Sequence, residues 1–241
     1  MHPLDNVIWE ALCTRQARFA ESSGQARRFV PEVSPLAGFR EPSPEGYESL
    51  AGLVPEQATV GLFLDEPYEA RSGWSWIAGA PLLQMILENG ASLASLRIVS
   101  DSEFLELTAA DAEEMVELAT LTKPGPFNLR TPELGLYIGI RREGRLVAMA
   151  GERLKVPGYT EVSAVCTHPE HAGRGYARIL MSEFMRRIVG RGETAFLHVR
   201  EDNVRAIAIY QRLGFKTRKR GHYAVLRKNP GTFGAKAPLE K

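Results

Sequence analysis

The 241-residue chain predicts an α/β fold: a central sheet flanked by helices, preceded by a smaller α/β half-domain. Three observations carry that reading. A β-branched segment, Glu161 to Thr167, runs through His168-Pro169 into Gly173-Arg174-Gly175, and helical spacing of Ala177, Leu180, Met181, Phe184 and Ile188 begins at once. A second strand and helix follow. Ala195 to Val199 is short and apolar, and Asn203, Ala206, Ile207 and Tyr210 recur at i, i+3, i+4 and i+7. The third observation is a hairpin, Leu136 to Arg141 against Leu146 to Glu152, turning at Glu143-Gly144.

Taken in order, residues 1–95 form the N-terminal α/β half. Leu4, Ile8, Ala11, Leu12 and Phe19 give one apolar face to a first helix, and Arg28 to Val33 reads as a strand. Ser43 caps a second helix with Pro44 in its first turn, and Tyr47, Leu50 and Val54 form its buried face. Thr59 to Leu64 and Leu82 to Leu87 are buried strands, with Trp74 and Trp76 alternating about Ser75 in a hairpin arm between them. No Gly-x-Gly loop and no cluster of His, Cys or carboxylates occurs here. This half therefore reads as a packing domain, lid or homodimer surface, with substrate stacking by Trp74 and Trp76 as the alternative.

Asn89-Gly90 and the polar run to Ser95 read as a linker, and a second domain spans residues 98–228. Phe104 to Leu107 is its first strand. Thr108 with Asp111 caps the helix that carries Ala112, Met115, Val116 and Ala119 on one face. Lys123-Pro124-Gly125-Pro126-Phe127 breaks that helix, since two prolines and a glycine cannot continue it. The hairpin, the strand from Thr160, a helix over Tyr176 to Val189, the Ala195 strand, and the helix capped by Asp202 or Asn203 follow. A last strand spans Tyr223 to Leu226, and residues 229–241 read as a disordered tail.

A formal net charge of +1 gives no electrostatic case for nucleic acid, and the run Arg218-Lys219-Arg220 reads as a solvated face. Cys13 and Cys166 stand far apart, as free thiols in a reducing compartment do. No stretch reaches the roughly 18 apolar residues of a membrane span. Asp5, Glu10, Arg15 and Arg18 interrupt any secretory leader. These features predict a cytoplasmic protein.

Strand, glycine turn and helix start together make an anion site, because free N–H groups and the positive end of the helix dipole converge there. Gly173 and Gly175 leave that backbone bare for a diphosphate. A P-loop is excluded, since no Gly-Lys-Ser/Thr occurs. The dinucleotide fingerprint fails for want of a third glycine after Gly173-Arg174-Gly175. The stretch resembles motif A of the GNAT superfamily of acyl-CoA-dependent N-acyltransferases, [Q/R]-x-x-G-x-[G/A], with Gly175 and Ala177 in its last two fixed places and Ala172 departing at the first. Asn203-x-x-Ala206-x-x-x-Tyr210-x-x-Leu213-Gly214-Phe215 is similar to the superfamily's second motif. The wording around Glu161 to Ala177 looks closest to the glycine N-acyltransferase-like branch, whose members carry a degenerate N-terminal half.

The resemblance covers about residues 103 to 228. It implies a mixed, mostly antiparallel sheet, with a short second helix somewhere in 127–134. It also implies acetyl-CoA or another acyl-CoA as co-substrate, no metal, and direct attack by a primary amine (an amino acid, small amine or peptide) in a ternary complex. Val165, Cys166, Thr167, Gly173, Arg174, Gly175, Tyr176, Ala177, Arg178, Asn203 and Tyr210 are the cofactor-binding residues so implied, and a backbone N–H near Val165 or Cys166 would polarise the thioester. Phe127 and Glu152 would border the acceptor. Tyr210 is the candidate acid, a phenol able to donate to a thiolate of similar pKa.

Freeing an alkyl amine of pKa about 10.4 at pH 7 costs roughly 4.6 kcal/mol, against about 1 kcal/mol for an α-amino group near 7.8. A base therefore matters most for the first class. The resemblance implies Glu161 as the candidate, eleven residues before Ala172, where several protein-acetylating members place a glutamate that works through water; alternation puts it on one strand face with Ser163 and Val165, and Glu152 is the rival. Cys166 reads as a buried hydrophobe rather than an acyl nucleophile. His168 and His171 read as solvent-facing, and His198 as a satisfied core histidine. The alternative from another class is an acyl-CoA-binding sensor or regulatory protein without catalysis, against which Tyr210 and Asn203 argue.

Overall fold

Apolar side chains on both faces of the strands demand helices on both sides of the sheet. In a computed structural model, which describes residues 2–87 and 104–231, that is the arrangement seen. The first half contributes α1 (Val7–Cys13), β1 (Ala20–Ser23), β2 (Ala26–Phe29), β3 (Leu36–Phe39), α2 (Pro44–Ala51), β4 (Thr59–Leu64) and β5 (Trp74–Leu87). The second contributes β6 (Leu105–Leu107), α3 (Ala112–Thr122), β7 (Tyr137–Arg142), β8 (Arg145–Val156), β9 (Tyr159–Thr167), α4 (Tyr176–Gly190), β10 (Thr194–Arg200), α5 (Val204–Arg212) and β11 (Phe215–Lys228). The linker at Asn89 to Ser95, the start near Ile98, and the tail from residue 232 onward lie outside the described residues.

All eleven strands join one sheet, in the order β1-β2-β3-β4-β11-β5-β10-β9-β8-β7-β6. Only β3–β4 and β9–β10 are parallel pairs, so the sheet is mixed and mostly antiparallel. The first half completes the second: β5 lies between β10 and β11, pairing with β10 over Leu82 to Ile86 and with β11 along its length. Leu180, Phe184 and Ile188 of α4 pack on Met85, Ala148, Val162 and Leu197 on one face. On the other, Val7, Ile8 and Leu12 of α1 meet Leu36, Leu154 and Phe196.

Several elements differ from the sequence expectation, each for a local reason. The first helix stops at Cys13, and Phe19 reaches the same core from a separate 3₁₀ turn, Ala17–Phe19. Gln16, between them, is buried because its amide binds the Arg153 carbonyl at 2.7 Å and the Lys155 N–H at 3.1 Å, where β8 is irregular. The strand expected over Arg28 to Val33 is displaced to a β1–β2 hairpin turning at Gly24, hidden by its polar residues. Trp74 belongs to one 14-residue strand that runs on to Leu87; it is buried, whereas Trp76 is 57% exposed. The last strand begins at Phe215 and takes in Arg218-Lys219-Arg220, which therefore is not a free solvated run: Arg218 bonds to Gln84 and Asp5, and Lys219 pairs with Asp65. The helix cap is as expected, Thr108 and Asp111 forming a reciprocal box, and a 3₁₀ turn, Thr131–Leu134, occupies the interval where a short helix was due.

Two features of β9 shape the site. Its pairing with β10 runs through Tyr159 to Glu161 against Thr194 to Phe196 and then ceases. Its pairing with β8 shifts by one residue around Ala164, whose φ of 52° is left-handed. That bulge breaks the simple alternation expected of the strand: Val162 and Val165 face α4, while Ala164 and Cys166 pack with Met115 of α3.

Where β9 leaves β10, Glu161 is fully buried. Arg153 grips both its oxygens at 2.8 and 2.7 Å, the Leu154 N–H donates at 3.2 Å, and His198 Nδ1 lies 2.7 Å from Oε1. Burial opposes the charge, but Arg153 and His198 outweigh it and hold the carboxyl down to about 2. Glu161→Gln should cost about 3–5 kcal/mol near neutral pH by leaving Arg153 unpaired in the core. Because the folded-state pKa lies below the unfolded value of about 4.3, the contribution is full above that value and is lost as pH falls. Denaturant titrations of wild type and variant should therefore converge as pH drops from about 4.3 toward 2. Separately, the Tyr137 ring lies over Gly151, where an added Cβ would stand 2.1 Å from it. Gly151→Ala should destabilise by about 1–3 kcal/mol in urea unfolding through overpacking.

Candidate active site

Beyond the last β9–β10 pair the two strands part, and a cleft of about 690 Å³ opens there on the α4–α5 face. Val165, Cys166 and Thr167 of β9 form one wall, the turn from His171 to Arg178 another, and Asn203 with Ala206 and Ile209 of α5 the third. Gly173 and Gly175 have φ of 81° and 82°, left-handed values that a side chain resists, and a Cβ at either would meet no atom within 4 Å. The space beside that turn is open. Gly175 is also the N-cap of α4 and offers no side-chain acceptor, so the first N–H groups of a 15-residue helix remain available to an anion.

Charge agrees with geometry. Arg174, Arg178, Arg205 and Arg212 line the cleft, and none has an ion-pair partner among the described residues. A diphosphate-bearing cofactor fits this donor set: bare amides at a helix start, surrounded by unpaired guanidinium groups. Arg205 and Arg212 went unnoticed in the sequence, although with Ile209 they stand at i, i+4 and i+7 on the α5 face turned to the cleft. Ala172 lines the cleft where the superfamily motif has a longer polar side chain.

Asn203 caps α5, its Oδ1 accepting from the Ala206 N–H at 3.1 Å, and it lines the same cleft. Tyr210, two turns on, points inward beside the Phe215 ring, with centroids 6.2 Å apart, and is not part of the cleft lining. Burial pushes its phenol up to about 12, the nearby Cys166 thiol adding to the effect. Its hydroxyl makes no hydrogen bond among the described residues, so it remains free to donate. Burial likewise pushes Cys166 up to about 11, which keeps it a neutral thiol rather than a nucleophile. His171 lines the cleft, and its buried Nδ1 has no partner.

The two carboxylates are placed elsewhere. Glu161 has both oxygens occupied in the core beneath the cleft, and a carboxyl held near 2 is too weakly basic to take a proton from an ammonium group. Glu152 is 2% exposed and bound by Lys155 and Arg191, each at 2.7 Å. Neither is open to a substrate in this geometry. Phe127 stands edge-on to Tyr137, in a small hollow shared with Pro124, Arg153 and Ser163. His198 is satisfied as read, yet it is also the imidazole attached to Glu161, and it lines a second cavity on the opposite face of the sheet.

Comparison with known proteins places this geometry in a family. The model of the FR47-like protein family matches residues 137–224. N-alpha-acetyltransferase RimI of Mycobacterium tuberculosis is 36% identical over 122 residues, spanning 46% of this chain and 75% of that protein. A solved GNAT-family protein from Novosphingobium aromaticivorans, described as an acetyltransferase, is 36% identical with a TM-score of 0.86, over 95% of this chain and 100% of that one. A tandem GNAT protein from the clavulanic acid biosynthesis pathway, 16% identical, shares the fold with a TM-score of 0.53 over 87% of this chain and 80% of its own. The chain belongs to the GNAT family and is an acyltransferase.

Proposed function

We propose that the protein is a cytoplasmic N-acetyltransferase that moves the acetyl group of acetyl-CoA to a primary amine by direct attack in a ternary complex. The observation that carries this reading is the cleft itself: bare amides at Gly173 and Gly175, four unpaired arginines, and an opening between β9 and β10 that leads past Val165 and Cys166. The α4 N-terminus with Arg174 and Arg178 would hold the diphosphate, and Arg205 and Arg212 would add charge from α5. The pantetheine arm would lie along the unpaired edge of β9 as an added strand, with Asn203 beside it. A β9 N–H at Val165 or Cys166 would face the thioester carbonyl, and Tyr210 would hold the proton destined for the departing thiolate.

In this reading, residues 1–95 are a degenerate GNAT half that supplies strands rather than a second catalytic centre. Their β5 fills the place between β10 and β11, and no comparable glycine turn leads into α2. Glu161 acts through its partners and not as the proton acceptor. The acceptor is an amino acid, small amine or peptide. Acetyl-CoA turnover, read as free thiol against a panel of those three classes, tests the reaction. Tight binding with no thiol release above background across the panel would leave an acyl-CoA-binding sensor instead.

Tyr210→Phe should lower turnover about 10²-fold, the lower end of acid–base effects, while acetyl-CoA affinity stays within about twofold of wild type. Unchanged turnover would remove Tyr210 from the mechanism. Gly175→Glu should abolish acetyl-CoA binding by filling the cradle and adding like charge. Because a Cβ there meets open space, the fold should pay only the positive-φ cost of about 1–2 kcal/mol. Calorimetry showing normal affinity in a variant with native circular dichroism would sink the phosphate assignment.

A further inference from the structure

His198 and the cofactor cleft lie on opposite sides of β10. Leu197 and Val199 pack toward α4, whereas Phe196 and His198 face α1. On that face the protonation of the imidazole can be read from its partners. Arg218 Nη1 donates to Gln84 Oε1 at 2.8 Å, which fixes the amide with its nitrogen toward the Leu4 carbonyl at 2.9 Å and toward His198 Nε2 at 3.2 Å. One amide N–H serves Leu4 and the other is left for Nε2, so that ring nitrogen accepts and carries no proton. The ring proton sits on Nδ1 and is donated to Glu161 Oε1 at 2.7 Å. A buried carboxylate, itself locked by Arg153, thus orients a histidine whose second ring nitrogen accepts from Gln84 on the other side. This is the arrangement by which a carboxylate presents a neutral imidazole as a base.

His198 and Gln84 both line a cavity of about 500 Å³, together with α1, β4 and residues 65–71 of the first half. Phe63 packs at a tilt of 48° against the imidazole with ring centroids 4.5 Å apart, and Tyr47 and Tyr68 continue an aromatic wall. Toward solvent, Lys219 and Arg220 are tied to Asp65 and Glu201, while Glu41, Glu66, Glu69, Arg40 and Arg71 have no ion-pair partner among the described residues, Arg71 lying over the Tyr47 ring. Aromatic faces, with three such carboxylates against two guanidinium groups, favour a cation on an apolar body. The volume is that of a drug-sized ligand, well above a free glycine.

Resting on the transferase reading above, we propose that this cavity receives the acceptor, a peptide-sized or comparably large primary amine. In it, His198 Nε2 takes the proton of the acceptor's ammonium group, with Glu161 as the positioning residue. The ammonium displaces the long Gln84 contact and gives one proton to Nε2, which passes it to solvent. The free amine then attacks the acyl carbon through the gap between β9 and β10. The C–N bond forms, the C–S bond breaks, and the thiolate takes the Tyr210 proton. The surplus proton of the new amide restores the phenol through solvent, so one proton is released per turnover. The charged and titratable groups about the imidazole are Glu161 from β9, Arg153 from β8, and, behind Gln84, Arg218 from β11 with Asp5 ahead of α1. His222 and Arg40 share the cavity wall.

The test is acetyl-CoA turnover by wild type and His198→Gln with alkyl-amine peptides and with free amino acids, between pH 7 and 10. Wild type should prefer the larger acceptors. The variant should lose about 10²–10³-fold in kcat/KM for the acceptor at pH 7, keep its acetyl-CoA affinity, and recover as pH approaches 10, where bulk water supplies free amine. Equal kcat/KM, or a loss of the same size at every pH, would overturn the role of His198 while leaving the transferase reading in place. No thiol release by wild type with any amine would remove that reading and this assignment with it. Glu66→Arg combined with Glu69→Arg should raise the acceptor KM about fivefold or more without altering acetyl-CoA affinity, and an unchanged KM would overturn the cavity assignment.

Discussion

The parting of β9 from β10 is the constraint on which the rest of the molecule depends. Two parallel strands that stayed paired would seal their backbone groups to each other. Here pairing ends at Glu161 and Phe196, and the gap that follows exposes a strand edge on both sides. An unpaired strand edge in a core is costly unless something holds the strands apart and something else satisfies the edge. The first requirement is met by Glu161, which draws Arg153 from β8 and His198 from β10 into one buried cluster at the point of divergence. The bulge at Ala164 meets part of the second by turning β9 away over the next residues.

Seen this way, the N-terminal half is structural necessity as much as ornament. With β10 parted from β9 on one side, its other edge needs a partner, and β5 supplies one that also bridges to β11. The same strand brings Gln84 against His198, and β11 brings Arg218 to orient that amide. Sheet completion and imidazole orientation therefore come from a single event, the insertion of β5. Burying the polar chain from Asp5 through Arg218, Gln84, His198 and Glu161 to Arg153 is tolerable because each member has a partner; removing one strands its neighbours.

Much of this was legible in the sequence, and the remainder was not for identifiable reasons. The glycine turn before α4 and the Asn203 helix were readable because they rest on local chemistry: backbone conformation at Gly173 and Gly175, capping by Asn203, and helical periodicity. What escaped depends on contacts between distant residues. Gln16 ends a helix by serving β8, and nothing local in Thr14-Arg15-Gln16 signals it. Glu161 was read as the candidate base, and alternation could not reveal that Arg153 grips both its oxygens. His198 looked like a core histidine, and it is one. Its second neighbour, Gln84, stands 114 residues away in sequence, so the tautomer could not be inferred before the fold.

The electrostatics of the two faces follow from a single sheet with different company on each side. The α4–α5 face gathers arginines without counter-ions around a helix N-terminus, a setting for an anionic cofactor. The α1 face gathers aromatic rings with three carboxylates and two guanidinium groups that have no ion-pair partner among the described residues. In the proposed reaction, oppositely charged substrates admitted from opposite sides would not compete for one mouth, and the gap between β9 and β10 would be where they meet. A base on the cofactor side would sit among guanidinium groups that penalise a protonated imidazole. On the α1 side the same imidazole has Glu161 at 2.7 Å. The sheet thus separates charge before the chemistry requires it to be joined.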